Sequence, residues 1–333
     1  MFFNFMKNGV IFSTALDDNF LEVLSGEMPF KNEVVAIKLH MGEPRNRNHL
    51  KAEEVKRFVD LLKRMGCKPF LFDTTVSYAG KRNSVEGYFE VAAVNGFTDA
   101  FMECPIVIGD EEHEVVKGRL EYRVAKKLCG VSVLVLTHVK GHPCSGIGAA
   151  IKNLGMGAMT KKTKSEIHEG GKPVYVGGCE VCGVCVENCP IGVMKLDEDE
   201  KRPKPSLTDC LGCSNCTIVC PRGALKPRVA AFDFLLAEAA KAAISKSKKV
   251  YFVNFLQRMT RFCDCFDEPL EPVIADIGIL AGGDILAVEK ATHDLIVKKE
   301  GRDVFKELNK KSFREQLKAA EQVFLGKRND GET

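Results

Sequence analysis

Cys179-Glu-Val-Cys182-Gly-Val-Cys185-Val-Glu-Asn-Cys189-Pro190 and Cys210-Leu-Gly-Cys213-Ser-Asn-Cys216-Thr-Ile-Val-Cys220-Pro221 share one spacing, C-x2-C-x2-C-x3-C-P. The second run follows the first by 31 residues at both ends, so the eight cysteines are an internal repeat of a metal-binding unit. A cubane needs four thiolates converging from different directions. Three closely spaced cysteines wrap three of its irons, and with this spacing the fourth, before proline, serves the other cluster. The expected sets are therefore Cys179, Cys182, Cys185 and Cys220 for one [4Fe–4S] cluster, and Cys210, Cys213, Cys216 and Cys189 for the other. Gly183, Gly192, Gly212 and Gly223 suit a backbone that turns sharply and brings N–H groups near sulfur. Paired C-x2-C units also build zinc ribbons, but those use four cysteines in two pairs and leave the Cys-Pro endings unexplained.

Working outward, the chain has 333 residues, 45% hydrophobic and 28% charged, with a net charge of +3. That is long enough for a sizeable core plus a second module, and too near neutral to argue for nucleic acid or an acidic membrane. No apolar run reaches the roughly 18–20 residues that span a bilayer. Met1–Phe12 lacks the basic start and cleavage site of a secretory signal. Six further cysteines without such a signal fit a reducing cytoplasm rather than a disulfide framework. The lysine clusters Lys161–Lys164 and Lys246–Lys249 read as solvated faces.

Before the cysteines, strands are expected at Val34–Leu39, Pro69–Asp73, Cys104–Ile108 and, most strongly, Val131–Thr137. Helical spacing marks Lys51–Met65, Ser84–Val94 and Arg119–Leu128 between them. Alternating strand and helix argue for parallel strands joined by right-handed crossovers. The strong strand runs into Gly141-His142-Pro-Cys144-Ser145-Gly146-Ile-Gly148, then Lys152 and Asn153. Ligands collect outside strand C-termini in open α/β sheets. Gly141, Ser145, Gly146, Gly148 and Lys152 are therefore ligand-loop candidates, a tight turn with close packing being the equal alternative. Gly170–Pro173 reads as a linker, and Leu196–Pro205 as an exposed hairpin or connector.

After the cysteines the α/β pattern resumes. A helix is expected at Ala230–Ile244, strands at Val250–Phe255 and Pro272–Ile277, and a loop at Gly278–Gly283. Helices follow at Asp284–Lys298 and Phe313–Leu325, the latter with a Ser312/Glu315 capping box and a frayed polar tail. The expected architecture is a mostly parallel open sheet with helices on both faces. It is discontinuous, 1–170 and 227–333, around an inserted α+β ferredoxin-like module at 171–226.

Flanks and insert together resemble the uncharacterised iron–sulfur centre proteins, α/β proteins of unknown function with a bacterial-type two-cluster ferredoxin insert. The matching residues are Gly141–Gly157, the eight cysteines, Cys263-Asp264-Cys265 and Asp276-Ile277-Gly278. The resemblance implies cofactor and architecture and leaves the reaction open.

Other candidates sit at expected strand ends: His40, Asp73, His138, His142, Asp276 and Asp284. Each could be a general acid or base, or simply a capping residue. His142, Cys144 and Asp73 are the catalytic candidates. Cys263 and Cys265 are a candidate third metal site, with His138, His142 and Cys144 as further donors. The leading expectation is a cytoplasmic electron-transfer protein with two [4Fe–4S] clusters, serving a redox partner protein or small-molecule substrate. The alternatives are a catalytic reductase acting on a small anionic substrate and a cluster-based redox sensor.

Overall fold

Residues 4–5, 7–109, 111–197 and 199–326 are described by a computed structural model of the chain. The expected frayed tail, from 327 on, lies outside them. One eight-stranded sheet holds the fold together: β1 (Asn4–Phe5), β2 (Ile11–Ser13), β3 (Val34–Lys38), β4 (Lys68–Thr74), β5 (Ile106–Gly109), β6 (Ser132–His138), β7 (Val250–Leu256) and β8 (Gly278–Gly282). The spatial order is β1-β2-β8-β7-β6-β3-β4-β5. From β7 through β5 every pairing is parallel, while β8, β2 and β1 extend the other edge antiparallel.

Side-chain alternation puts a core on each side. Val35 and Ile37 of β3 and Leu134 and Leu136 of β6 face one core; Ala36, Val133 and Val135 face the other. Strands buried on both faces read as continuous apolar runs, as these do. The first core is closed by α1 (Asp18–Glu27), α2 (Ala52–Arg64) and α3 (Val85–Val94) through Phe20, Phe58 and Tyr88. The second is closed by α4 (Ala150–Gly157), α5 (Lys161–Gly171), α6 (Phe232–Lys246), α7 (Ile285–Glu300) and α8 (Phe313–Leu325). The protein is thus a mixed α/β fold with a mostly parallel sheet flanked by helices.

Local chemistry explains the helix ends. Ser84 and Asp284 accept the N–H groups of Gly87 and Ala287 at 3.1 and 2.9 Å, capping α3 and α7. At α8, Ser312 Oγ accepts the Arg314 N–H at 3.3 Å.

Four local expectations are corrected. Arg119–Leu128 is not a helix. His113–Lys117 and Glu121–Ala125 form an antiparallel hairpin, in which buried Tyr122 and Val124 follow a period of two. Strand and loop exchange places near the end of the sheet: Pro272–Ile277 is not a strand, and Gly278–Gly282 is. Small residues are required there, because a Cβ on Gly278 would lie 2.3 Å from the Ser13 carbonyl oxygen across the β8–β2 pairing. Gly170 and Gly171 end α5 instead of forming a linker. Finally, Lys164 is not on a solvated face; it is buried, with 6% of its surface exposed.

Neighbouring β6 and β7 come from opposite sides of the cysteine stretch in sequence. Pro173–Tyr175 pairs antiparallel with Leu225–Pro227, so the chain leaves and re-enters the α/β region at one place. Between these strands, Met194–Asp197 pairs with Arg202–Pro205, and the cysteine runs carry one short helix each, Val184–Glu187 and Asn215–Val219.

Candidate functional site

β3, β4 and β6 end side by side, and a cavity of about 430 Å³ lies beyond their C-terminal ends. Lys38, Asp73 and His138 come from those ends, and α4 and α5 supply Lys152, Asn153, Lys164 and His168.

Lys38 Nζ lies 3.0 Å from Asp73 Oδ1 and donates to Asn153 Oδ1 at 2.7 Å. Gly157 permits this arrangement, since a Cβ there would sit 2.3 Å from Lys38 Nζ. Burial lowers the Lys38 pKa, and the Asp73 charge opposes that shift. Tyr88 donates to the second Asp73 oxygen. Arg82, 1% exposed, donates to Glu43 at 2.6 Å and lies 5.1 Å over the Tyr88 ring.

Asp264 anchors the opposite wall. His138 Nδ1 is 2.8 Å from its Oδ1, Lys140 Nζ is 3.1 Å from its Oδ2, and His138 Nε2 faces the Gln257 carbonyl at 2.8 Å. Burial would raise the Asp264 carboxyl, but the His138 and Lys140 charges hold it well below the usual carboxylate range.

Two imidazoles are positioned as neutral donors. His40 Nδ1 accepts the Gly42 N–H at 3.0 Å, and His142 Nδ1 accepts the Cys144 N–H at 3.2 Å. Burial lowers both pKa values well below the ordinary histidine range, helped by Arg82 at His40 and by Lys152 at His142. With Nδ1 accepting, each neutral ring carries its proton on Nε2.

Two lysines at the cavity lack a carboxylate partner among the described residues. Lys164 donates to Thr74 Oγ1 at 2.7 Å and to the Thr75 carbonyl. Lys152 makes no hydrogen bond or ion pair with any described residue. Burial pushes each of these ammonium groups down to about 7.

The cysteines gather as two sets of four. Cys179, Cys182, Cys185 and Cys220 line one small cavity; Cys189, Cys210, Cys213 and Cys216 line a second. Val181 N–H lies 3.3 Å from Cys179 Sγ and Gly212 N–H lies 3.4 Å from Cys210 Sγ. Burial opposes ionisation of Cys220, but the backbone N–H groups of Arg222, Ala224, Leu225 and Gly223 outweigh it and lower its pKa. Cys213 is pushed up to about 11 by burial, and Cys216 higher still. Among the described residues, no three His, Cys, Asp or Glu groups converge on a single-ion site. Cys210 and Leu211 also stand on the wall of the large cavity.

Of the candidates from sequence, Asp73, His40, His138, His142, Cys144 and Lys152 meet at this cavity. Burial raises the Cys144 thiol well above its ordinary value, which keeps it protonated. Gly141 and Gly146 instead pack against backbone: a Cβ on either would lie 2.1 Å from Arg261 O or 2.6 Å from Phe313 N. Ser145 Oγ is spent on the Ile147 carbonyl at 2.9 Å. Gly148 has only side-chain neighbours, Lys152, His142 and Lys140. Cys263 and Cys265, the candidate third metal site, lie sulfur to sulfur as a disulfide at the edge of the cavity. Asp276 accepts the Arg258 N–H at 2.6 Å and Asp284 caps α7, so both are structural. Sequence reasoning missed Arg82, Lys140, Lys164 and His168, and took Asp264 only as the middle of the Cys263-Asp264-Cys265 motif. It also missed Lys38, although a lysine ending an apolar strand was a readable signal.

The profile of a family described as a domain of unknown function, DUF362, matches residues 35–294. No curated protein matches the chain in sequence. A crystal structure of a protein from Thermotoga maritima is similar at TM-score 0.41 and 12% identity, over 84% of this chain and 57% of that one. The chain therefore spans little more than half the length of that protein. Among the described residues, no helix is long and apolar enough to cross a membrane.

Proposed function

The chain belongs to the DUF362 family of domains of unknown function, and we propose that it is an electron-transfer protein carrying two [4Fe–4S] clusters that serve a redox reaction in the large cavity. The observation that carries this reading is the double placement of Cys210, which lines both a four-cysteine cavity and the wall of the large one. Cys179, Cys182, Cys185 and Cys220 would hold one cluster, and Cys189, Cys210, Cys213 and Cys216 the other. The crossed sets, each borrowing its fourth cysteine from the other run, are those that the spacing demands.

The donor set fits. Each small cavity is lined by four cysteines, and backbone N–H groups are directed at Cys179, Cys210 and Cys220, the outer contacts that thiolate-held clusters use. The raised thiols of Cys213 and Cys216 need a bound cation to ionise. Bound there, the clusters supply electrons one at a time.

The chain's own residues supply the rest. Charge that develops on a small molecule as it gains electrons would be met at the cavity wall by hydrogen bonds from the Nε2–H groups of neutral His40 and His142. Val76, Leu136, Met156 and Phe266 exclude water from part of that wall.

Anaerobic reconstitution followed by iron and sulfide assay tests the cofactor reading, with about eight of each per chain expected. A colourless protein holding two zinc ions would overturn it. Reduction by a chemical donor should then bleach the cluster absorbance, and a protein whose absorbance ignores reductant is not an electron carrier.

A further inference from the structure

The cations around the large cavity outnumber their carboxylates. Four pairs are complete: Lys38 with Asp73, Arg82 with Glu43, Lys140 with Asp264, and Lys172 with Glu169. Lys152 and Lys164 remain: among the described residues, the first has no hydrogen-bond or ion-pair partner and the second bonds only neutral oxygens. The nearby histidines His40, His142 and His168 contribute no negative charge, and Cys144 stays a thiol.

Withdrawing an ammonium from water is costly unless an anion meets it. Lys164 is buried and Lys152 half-buried, and in their protonated forms the two, from adjacent helices on one cavity, leave two positive charges for a ligand to meet. The apolar side chains of Val76, Leu136, Met156 and Phe266 share the same wall. The volume of about 430 Å³ lies in the range of small-molecule sites.

We infer that the cavity binds a small organic dianion, an apolar body bearing two negative charges as a dicarboxylate or a phosphate ester, with Lys152 and Lys164 as its counter-charges. This rests on the cavity being the site of the proposed reaction; the charges counted are those of the protein's own side chains, to which a cluster held at Cys210 would add negative charge on one wall.

The test is calorimetric titration of the reconstituted protein at pH 6.5 and constant ionic strength with three probes of matched body: benzoate, phthalate and phenyl phosphate. At least one dianion should bind tenfold or more tightly than benzoate. Preference for phthalate identifies a dicarboxylate site, and preference for phenyl phosphate a phosphate-ester site. Lys152→Met and Lys164→Met, each checked for native circular dichroism, should reduce that ratio toward one, and Lys152→Arg should keep it. Equal binding of benzoate and both dianions, no binding of any probe, or a ratio unchanged in both methionine variants would overturn the inference. Should one methionine variant fail to fold, the other decides. Iron is assayed on the same samples. Dianion selectivity in a protein without iron would overturn the cluster reading while leaving this one standing.

Discussion

His168 donates through Nδ1 to the carbonyl oxygen of Leu211 at 2.7 Å, tying the last turns of α5 to the loop between Cys210 and Cys213. The ring also packs against Phe232, with centroids 5.1 Å apart. Both partners lie on the cavity wall, so one hydrogen bond couples the geometry of the cavity to that of a cysteine run. Replacing His168 by Phe keeps an aromatic ring but leaves the Leu211 carbonyl without its donor. The expected cost is about 1–3 kcal/mol in urea unfolding. His168→Asn, which can still donate, should recover part of it.

The same loop makes a closer contact with α5. Gly212 adopts a positive φ of 66°, and a Cβ there would lie 1.9 Å from the His168 carbonyl oxygen. Gly212→Ala forces the Cys210–Cys213 loop away from the helix. Iron bound after reconstitution should fall by about half, because only the set containing Cys210 is displaced. Gly183→Ala is the control: it shares the positive φ but has nothing within 4 Å of a Cβ. It should incur backbone strain alone, about 1–2 kcal/mol, and retain more iron.

Beneath this loop Lys311 and Asp233 form an ion pair at 2.6 Å, with side chains 0% and 2% exposed. Lys311 also donates to the Cys213 carbonyl at 3.1 Å. Lys311→Met strands a buried carboxylate and should cost about 3–5 kcal/mol. Lys311→Met combined with Asp233→Leu should recover much of that loss, because no buried charge is then left alone. Denaturant midpoints of the two variants and the wild type settle the comparison.

Acid stability has an identifiable source at the far end of the sheet. Burial would raise the Glu33 carboxyl, yet hydrogen bonds from Lys249, Ser132 and Lys248 hold it at about 2. A depressed carboxyl stabilises the fold at every pH above its unfolded value, and that contribution is lost as pH falls toward the folded one. Wild-type stability should therefore drop between about pH 4.5 and 2. In Glu33→Gln the thermal midpoint should be lower at pH 6 and flatter across that window.

Anion binding should carry the opposite pH signature. Lys152 and Lys164 lose their protons near pH 7, and only the ammonium form meets an anion. The groups facing them are Lys38, Arg82, Lys140, His142, His168, Asp73 and Asp264. Affinity for phthalate or phenyl phosphate should weaken about tenfold or more from pH 6 to 8, since the dianion must recruit protons it no longer finds in place. Calorimetry in two buffers of different ionisation enthalpy should show net proton uptake at pH 7.5.

Read alone, the amino-acid sequence determined the cysteine spacing, the α/β class and most strands of the sheet. Each of these is a local property. Ligand spacing lies within a dozen residues, and a strand buried on both faces announces itself as an apolar run, as Val131–Thr137 does. Where local pattern was ambiguous the reading failed. The period of two in the hairpin at 113–125 passed for helical spacing, and the small residues of Gly278–Gly282 passed for a loop.

Only the tertiary structure decided what the lysines do. Lys38 reaches Asn153, 115 residues away; Lys164 reaches Thr74, 90 residues away; His138 reaches Asp264, 126 residues away. A lysine on a solvated helix and one sealed into a cavity look alike in sequence, because burial depends on the neighbours that the fold brings and not on the residue's own pattern. The cavity's surplus of positive charge exists only where those distant segments meet.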